Sequence, residues 1–96
     1  MLILVTYDVE TMSSQGQKRL REVAKACQDY GQRVQNSVFE CVVYFTQYTQ
    51  LKLKLRSIMN EKFDSIRFYN LGNHYVSRVE TLGMKLGQDL TGELIL

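Results

Sequence analysis

The sequence predicts an α+β fold built around one core, and three observations carry that prediction. Two stretches repeat apolar residues at helical spacing, four short runs flank and separate them with strand-like composition, and the chain is 96 residues long with 45% hydrophobic and 10% aromatic residues. A chain of that size can enclose one packed core but not two.

The first element is the apolar run Leu2, Ile3, Leu4 and Val5, which reads as a strand buried on both faces. Thr6 and Tyr7 continue it, and an acid, Asp8, rides on its end. The polar stretch ETMSSQG then reads as a loop, in which Ser14 followed three residues later by Gln17 resembles a capping box. Leu20, Val23, Ala24 and Cys27 form the inner stripe of the helix it opens, and Gly31 is placed to end that helix. Lys18, Arg21, Glu22, Lys25 and Asp29 make the outer, charged face, of a kind that ordinarily serves only to meet solvent. Residues 32–45, QRVQNSVFECVVYF, mostly alternate and are rich in Val and aromatics. The run is long for one strand, and the turn-prone Asn36 and Ser37 divide it into an antiparallel pair. Thr46 or Thr49 would cap a second helix whose stripe is Leu51, Leu55, Ile58 and Met59, with Lys52 and Arg56 one turn apart on its outer face. After Asp64 and Ser65, the run IRFYNL alternates Ile66 and Phe68 with Arg67 and Tyr69, as a strand with one buried face does. A further strand is expected over about Val76 to Leu82.

The order strand, helix, strand, strand, helix, strand is the split βαβ, or ferredoxin-like, plan βαββαβ with strands appended. It assigns residues 1–82 to the domain and 83–96 to a C-terminal tail ending GELIL, whose Leu94, Ile95 and Leu96 suit an added strand docked on another edge. The N-terminal apolar runs are too short for a membrane span or a signal segment, so the expected location is cytoplasmic. Cys27 and Cys41 with a single histidine, His74, assemble no zinc-type grouping, and both thiols are expected to pack as small hydrophobes. The net charge of +2 is too small to define a nucleic-acid partner on its own.

Two readings of Asp8 stand side by side. In the first it ties the ETMSSQG loop by accepting hydrogen bonds from backbone amides. In the second it is a metal ligand, and since a hydrolytic metal site needs more than one oxygen ligand, the missing one comes from symmetry. A twofold dimer bringing strand ends together would set two Asp8 side chains face to face, and a hard cation such as Mg²⁺ or Mn²⁺ would relieve their repulsion.

The strings YDVE at 7–10, GQRVQNSVFEC at 31–41 and DSIRFYNLG at 64–72 resemble CRISPR-associated protein family two, the small subunit of the spacer-acquisition machinery, over nearly the whole chain to about Leu82. The resemblance implies a homodimer whose C-terminal strand extends the partner's sheet, with Asp8 facing its mate across the axis. It implies a metal-dependent endonuclease acting on double-stranded DNA, the favoured substrate, or on single-stranded RNA. It also implies a partnership with the CRISPR integrase (family one) subunits. Arg33 and Phe39 match positions linked with nuclease function, and Arg19 and Arg21 approximate the basic positions of the family's first helix. The loop MSSQG departs from the pattern in being less basic than in some relatives.

On this reading Asp8 from each subunit holds one Mg²⁺ or Mn²⁺, which polarises a phosphoryl oxygen or activates a bound water. Arg19, Arg21 and Arg33 position phosphate, and Phe39 supports the site or simply packs in the core. The alternative is a non-catalytic subunit that bridges DNA between integrase subunits through sequence-independent backbone contacts. A small-ligand regulatory domain on the same fold comes last, because no glycine-rich ligand loop is present.

Overall fold

The run LILVTYD has β-branched and aromatic residues at alternate positions, and in the computed structural model, which describes residues 1–83, it forms β1, Leu2–Asp8. The chain continues through α1 (Ser14–Gln28), β2 (Gln32–Gln35), β3 (Val38–Val42), α2 (Phe45–Ile58) and β4 (Ser65–Asn70). The four strands make one antiparallel sheet in the order β2-β3-β1-β4. Each helix joins strands that are not sheet neighbours, which is the ferredoxin-like plan expected from the element order.

Both helices cover the same face. Ile3, Val5 and Tyr7 of β1, Phe39 and Cys41 of β3, and Val23, Cys27, Leu51 and Leu55 of the helices form one buried cluster, with Leu20, Ala24, Ile58, Ile66 and Phe68 packed on its rim. The two cysteines are buried free thiols, as expected of small hydrophobes. β1 is therefore buried through its odd-numbered residues, and the expectation of burial on both faces does not hold along its length. Leu2 is buried, but Leu4 and Thr6 are half-exposed and Asp8 is exposed. Among the described residues no helix lies over the opposite face, and strand pleating alternates side chains between the two.

The expected turn at Asn36 and Ser37 lies between β2 and β3, with a register shift between Arg33 and Gln35. Both predicted helix caps move. The N-cap of α1 is Ser13, whose Oγ accepts from the Gly16 amide at 3.0 Å, while Ser14 is already helical and Gln17 donates to the Thr11 carbonyl at 3.2 Å. Helix α2 starts directly after β3: Gln47 accepts the Tyr44 amide at 2.9 Å, and Thr49 donates back to the Phe45 carbonyl at 3.1 Å from inside the helix. Helix α1 ends at Gln28, three residues before Gly31. Gly31 instead serves close packing. A Cβ there would collide with the Glu40 carbonyl and with Cys41, so its small size lets the end of α1 press against β3.

The strand expected over Val76 to Leu82 is not formed. After β4 the chain turns at Gly72 (φ 77°), tied to β1 by Leu2–Gly72 and Leu71–Leu2 backbone hydrogen bonds of 3.0 and 2.9 Å. It then leaves the sheet as a single 3₁₀ turn, Val76–Arg78. A strand requires a neighbour to share its ladder, and the residues of this segment cannot by themselves supply one. The GELIL tail lies outside the described residues. No helix among the described residues is long and apolar enough to cross a membrane.

Candidate functional site

Asp8 is the last residue of β1 and stands opposite Ser65, the first residue of β4. Its place in the pleat puts it with Leu4 and Thr6 on the helix-free face of the sheet, exposed to solvent. Among the described residues its carboxylate has neither a hydrogen-bond nor an ion-pair partner. The loop-tying role that one reading gave to Asp8 belongs to two other acids.

Glu10 and Asp64 are those acids. Glu10 accepts from the Ser13 amide at 2.7 Å and from the Ser13 hydroxyl at 2.8 Å, which orients Ser13 to cap α1. Asp64 immediately precedes β4, and its side chain is fully enclosed. It accepts from the Glu10 amide at 3.1 Å and the Asn60 amide at 2.9 Å, and Arg19 clamps it with Nε at 2.7 Å and Nη2 at 3.3 Å. Arg19 Nη2 also lies 3.6 Å from Glu10. Burial pushes the Asp64 carboxyl upward, but the Arg19 guanidinium and the two amides outweigh it and hold the group below its ordinary value. The hydrogen bonds from Ser13 lower Glu10 as well. Gly16 belongs to the same junction, because a Cβ there would collide with the Glu10 carbonyl oxygen.

The basic residues expected at the site are therefore dispersed. Arg19 is turned inward, its side chain only 15% exposed. Arg21 is exposed on α1. Arg33 pairs across the sheet with Phe39, and its guanidinium stacks 5.2 Å from the Phe39 ring centre. Phe39 is fully buried and lies in near-parallel contact with Tyr7, with ring centres 6.2 Å apart, so it is core. Burial raises the Tyr7 phenol, and Arg33 partly offsets that rise. Arg33 thus sits at the sheet edge on the helix side, across the sheet from Asp8. Lys52 stacks 4.3 Å from the Tyr48 ring centre, and Arg56 pairs with Glu61 at 3.4 Å.

On Asp8's own face the structure brings up two residues that sequence reasoning did not single out, Ser65 directly across and Arg67, which pairs with Thr6 and donates to the Tyr69 hydroxyl at 3.1 Å. The outward orientation of Arg67 was legible in the alternation of IRFYNL. The proximity of both residues to Asp8 depends on the pairing of β1 with β4.

A divalent cation such as Mg²⁺ takes several oxygen ligands. Among the described residues no three His, Cys, Asp or Glu side chains converge to hold a metal. The free carboxylate of Asp8 is a suitable hard donor, so the residues fit such an ion only if a second copy supplies the facing oxygen.

The family model described as CRISPR associated protein Cas2 matches residues 1–79. A protein of Halalkalibacterium halodurans named CRISPR-associated endonuclease Cas2 is 61% identical over 99% of each chain. One of Chlorobaculum tepidum named CRISPR-associated endoribonuclease Cas2 is 55% identical over the full length of both. The crystal structure of Streptococcus pyogenes Cas2 at pH 6.5 superposes with a TM-score of 0.76 and 60% identity, covering 86% of this chain and all of that one.

Proposed function

The chain belongs to the CRISPR-associated Cas2 family, and from that premise we propose that it is a metal-dependent endonuclease of CRISPR spacer acquisition, cutting duplex DNA in preference to single-stranded RNA. The observation that carries the reading is the unspent Asp8: Glu10 and Asp64 take over the structural work at the end of β1, which leaves an exposed carboxylate with no folding role. Relatives bearing the names endonuclease and endoribonuclease support phosphodiester hydrolysis as the reaction.

The site is completed by a homodimer. The helix-free face that carries Asp8 also carries Leu4, Val38, Val42 (40% exposed) and Tyr69 (43% exposed), with Thr6, Glu40 and Arg67 between them, a partly apolar strip suited to meet its own copy. Sheets meeting through that face bring the two Asp8 side chains to one axis, where together they would hold Mg²⁺ or Mn²⁺. A cation held there would supply positive charge to a phosphoryl oxygen. Arg21, exposed and without an ion-pair partner among the described residues, and Arg33 at the sheet edge attract the phosphate backbone. A second reading, a DNA-bridging subunit for the CRISPR integrase without catalysis of its own, is favoured by the fact that, among the described residues of one chain, no three His, Cys, Asp or Glu side chains gather to hold a metal, while the neighbouring acids Glu10 and Asp64 are engaged by Ser13 and Arg19.

The test compares wild-type protein with Asp8→Asn on linear duplex DNA and single-stranded RNA, with Mg²⁺, Mn²⁺ or EDTA. Loss of cutting in the variant with retained DNA binding is expected. Undiminished metal-dependent cutting by Asp8→Asn overturns the site. No cutting by either protein, with integrase binding intact, selects the bridging reading.

A further inference from the structure

Arg19 lies one helical turn into α1, on the family-like basic face, yet its guanidinium points into the molecule. Two of its nitrogens grip the enclosed Asp64 and one approaches Glu10. Asp64 spends its remaining acceptor capacity on the amides of Glu10 and Asn60. Glu10 lies two residues after Asp8, and Asp64 precedes the residue that faces Asp8 across the sheet. The end of β1, the start of β4 and the first turns of α1 are thus bound to one carboxylate and one guanidinium, and the chain segments they bind flank Asp8 on both strands.

From this junction we infer that Arg19 is a positioning residue for Asp8, acting through Asp64, and not a contact for nucleic acid. The inference rests on the Asp8 reading above. A guanidinium already engaged by two carboxylates has little to offer a phosphate, and a bidentate fork to a carboxylate is a geometry that lysine cannot reproduce. Replacing a residue that orients a metal ligand from behind typically costs about 10–100-fold in metal affinity or activity. Such residues also act as a unit, so the effects of removing two are not additive.

The test uses Arg19→Ala, Arg19→Lys, Asp64→Asn and the double variant Arg19→Ala/Asp64→Asn, with Arg21→Ala as the contrast, each checked for folding by circular dichroism. Cleavage kinetics, the salt dependence of duplex DNA binding and hydrogen exchange at the Glu10 amide are read together. Arg19→Ala, Arg19→Lys and Asp64→Asn should each lower kcat about tenfold or more with KM within twofold. The double variant should lose no more than either single one. The slope of log affinity against log salt should stay at the wild-type value in Arg19→Ala and fall by about one in Arg21→Ala. Exchange at the Glu10 amide should accelerate in Asp64→Asn while the amides of β3 stay protected. A reduced salt slope in Arg19→Ala, or full activity in Arg19→Lys, overturns the inference and makes Arg19 a phosphate contact. If wild-type protein cuts neither substrate, the Asp8 reading fails, and the salt slope and the Glu10 amide still decide whether Arg19 faces inward or toward nucleic acid.

Discussion

Asp64 shows at the scale of one residue how burial and charge are balanced here. Its side chain is enclosed, which disfavours the charged form, and it stays ionised because Arg19 and two backbone amides are aimed at it. An unfolded aspartate titrates at about 3.9 and the folded one lower, so the stabilisation is complete above that pH and is lost as pH falls through the folded value. Asp64→Asn should therefore be less stable than wild type at neutral pH, and the gap should shrink below about pH 4, as read by urea midpoints across a pH series. A gap constant with pH would mean that shape, and not charge, makes the junction. The two thiols behave differently. Burial pushes Cys27 up to about 12, with Cys41 beside it adding to the effect, and pushes Cys41 up to about 11. Neither presents a thiolate near neutrality, so iodoacetamide at pH 8 should label both only in denaturant; labelling of native protein would show that the helix layer opens.

Among the elements, α1 was the most legible in the sequence, because its stripe Leu20, Val23, Ala24, Cys27 has one periodicity and one interpretation. Its cap lies one residue before the expected Ser14, since Ser13 and Ser14 are equally good caps by composition and the choice is made by Glu10, which holds the Ser13 amide and hydroxyl. Ser13→Ala should cost about 1 kcal/mol of unfolding free energy, while Ser14→Ala should cost a few tenths at most. At the other end, Gly31→Ala drives a methyl group into β3 and should cost about 1–3 kcal/mol, seen as a lower denaturant midpoint at unchanged m-value. Equal stability of Gly31→Ala and wild type would mean that helix and strand can part there without loss. Strand β4 was legible through the alternation of IRFYNL, whereas the strand expected over Val76 to Leu82 had no such alternation behind it, and the segment forms a 3₁₀ turn instead.

At the scale of the molecule, among the described residues, a four-stranded sheet covered by helices on one face leaves a partly apolar strip on the other. Val42 lies on that strip opposite Leu2 and away from the helices. Val42→Asp should leave the far-UV circular dichroism intact while shifting the sedimenting species toward monomer at micromolar concentration, and cleavage should fall with it, since each Asp8 would lose its mate. An unchanged dimer would mean that copies meet elsewhere. On the proposed dimer with its tail docked on the partner, truncation after Gln88, which removes Leu90 and GELIL, should weaken dimerisation without unfolding residues 1–83.

The sequence by itself determined the ferredoxin-like order of elements, the helix-facing stripes, the hairpin at Asn36 and Ser37, and the isolation of Asp8 at a strand end, because each is a local matter of spacing and turn chemistry. The tertiary structure decided which acids are spent and which is free. Glu10 and Asp64 are separated by 54 residues, and nothing local announces that β4 pairs with β1 and brings them together around Arg19. It also decided that Arg33 and Asp8 occupy opposite faces of the sheet, since the face a strand residue takes is fixed only when neighbouring strands meet in register.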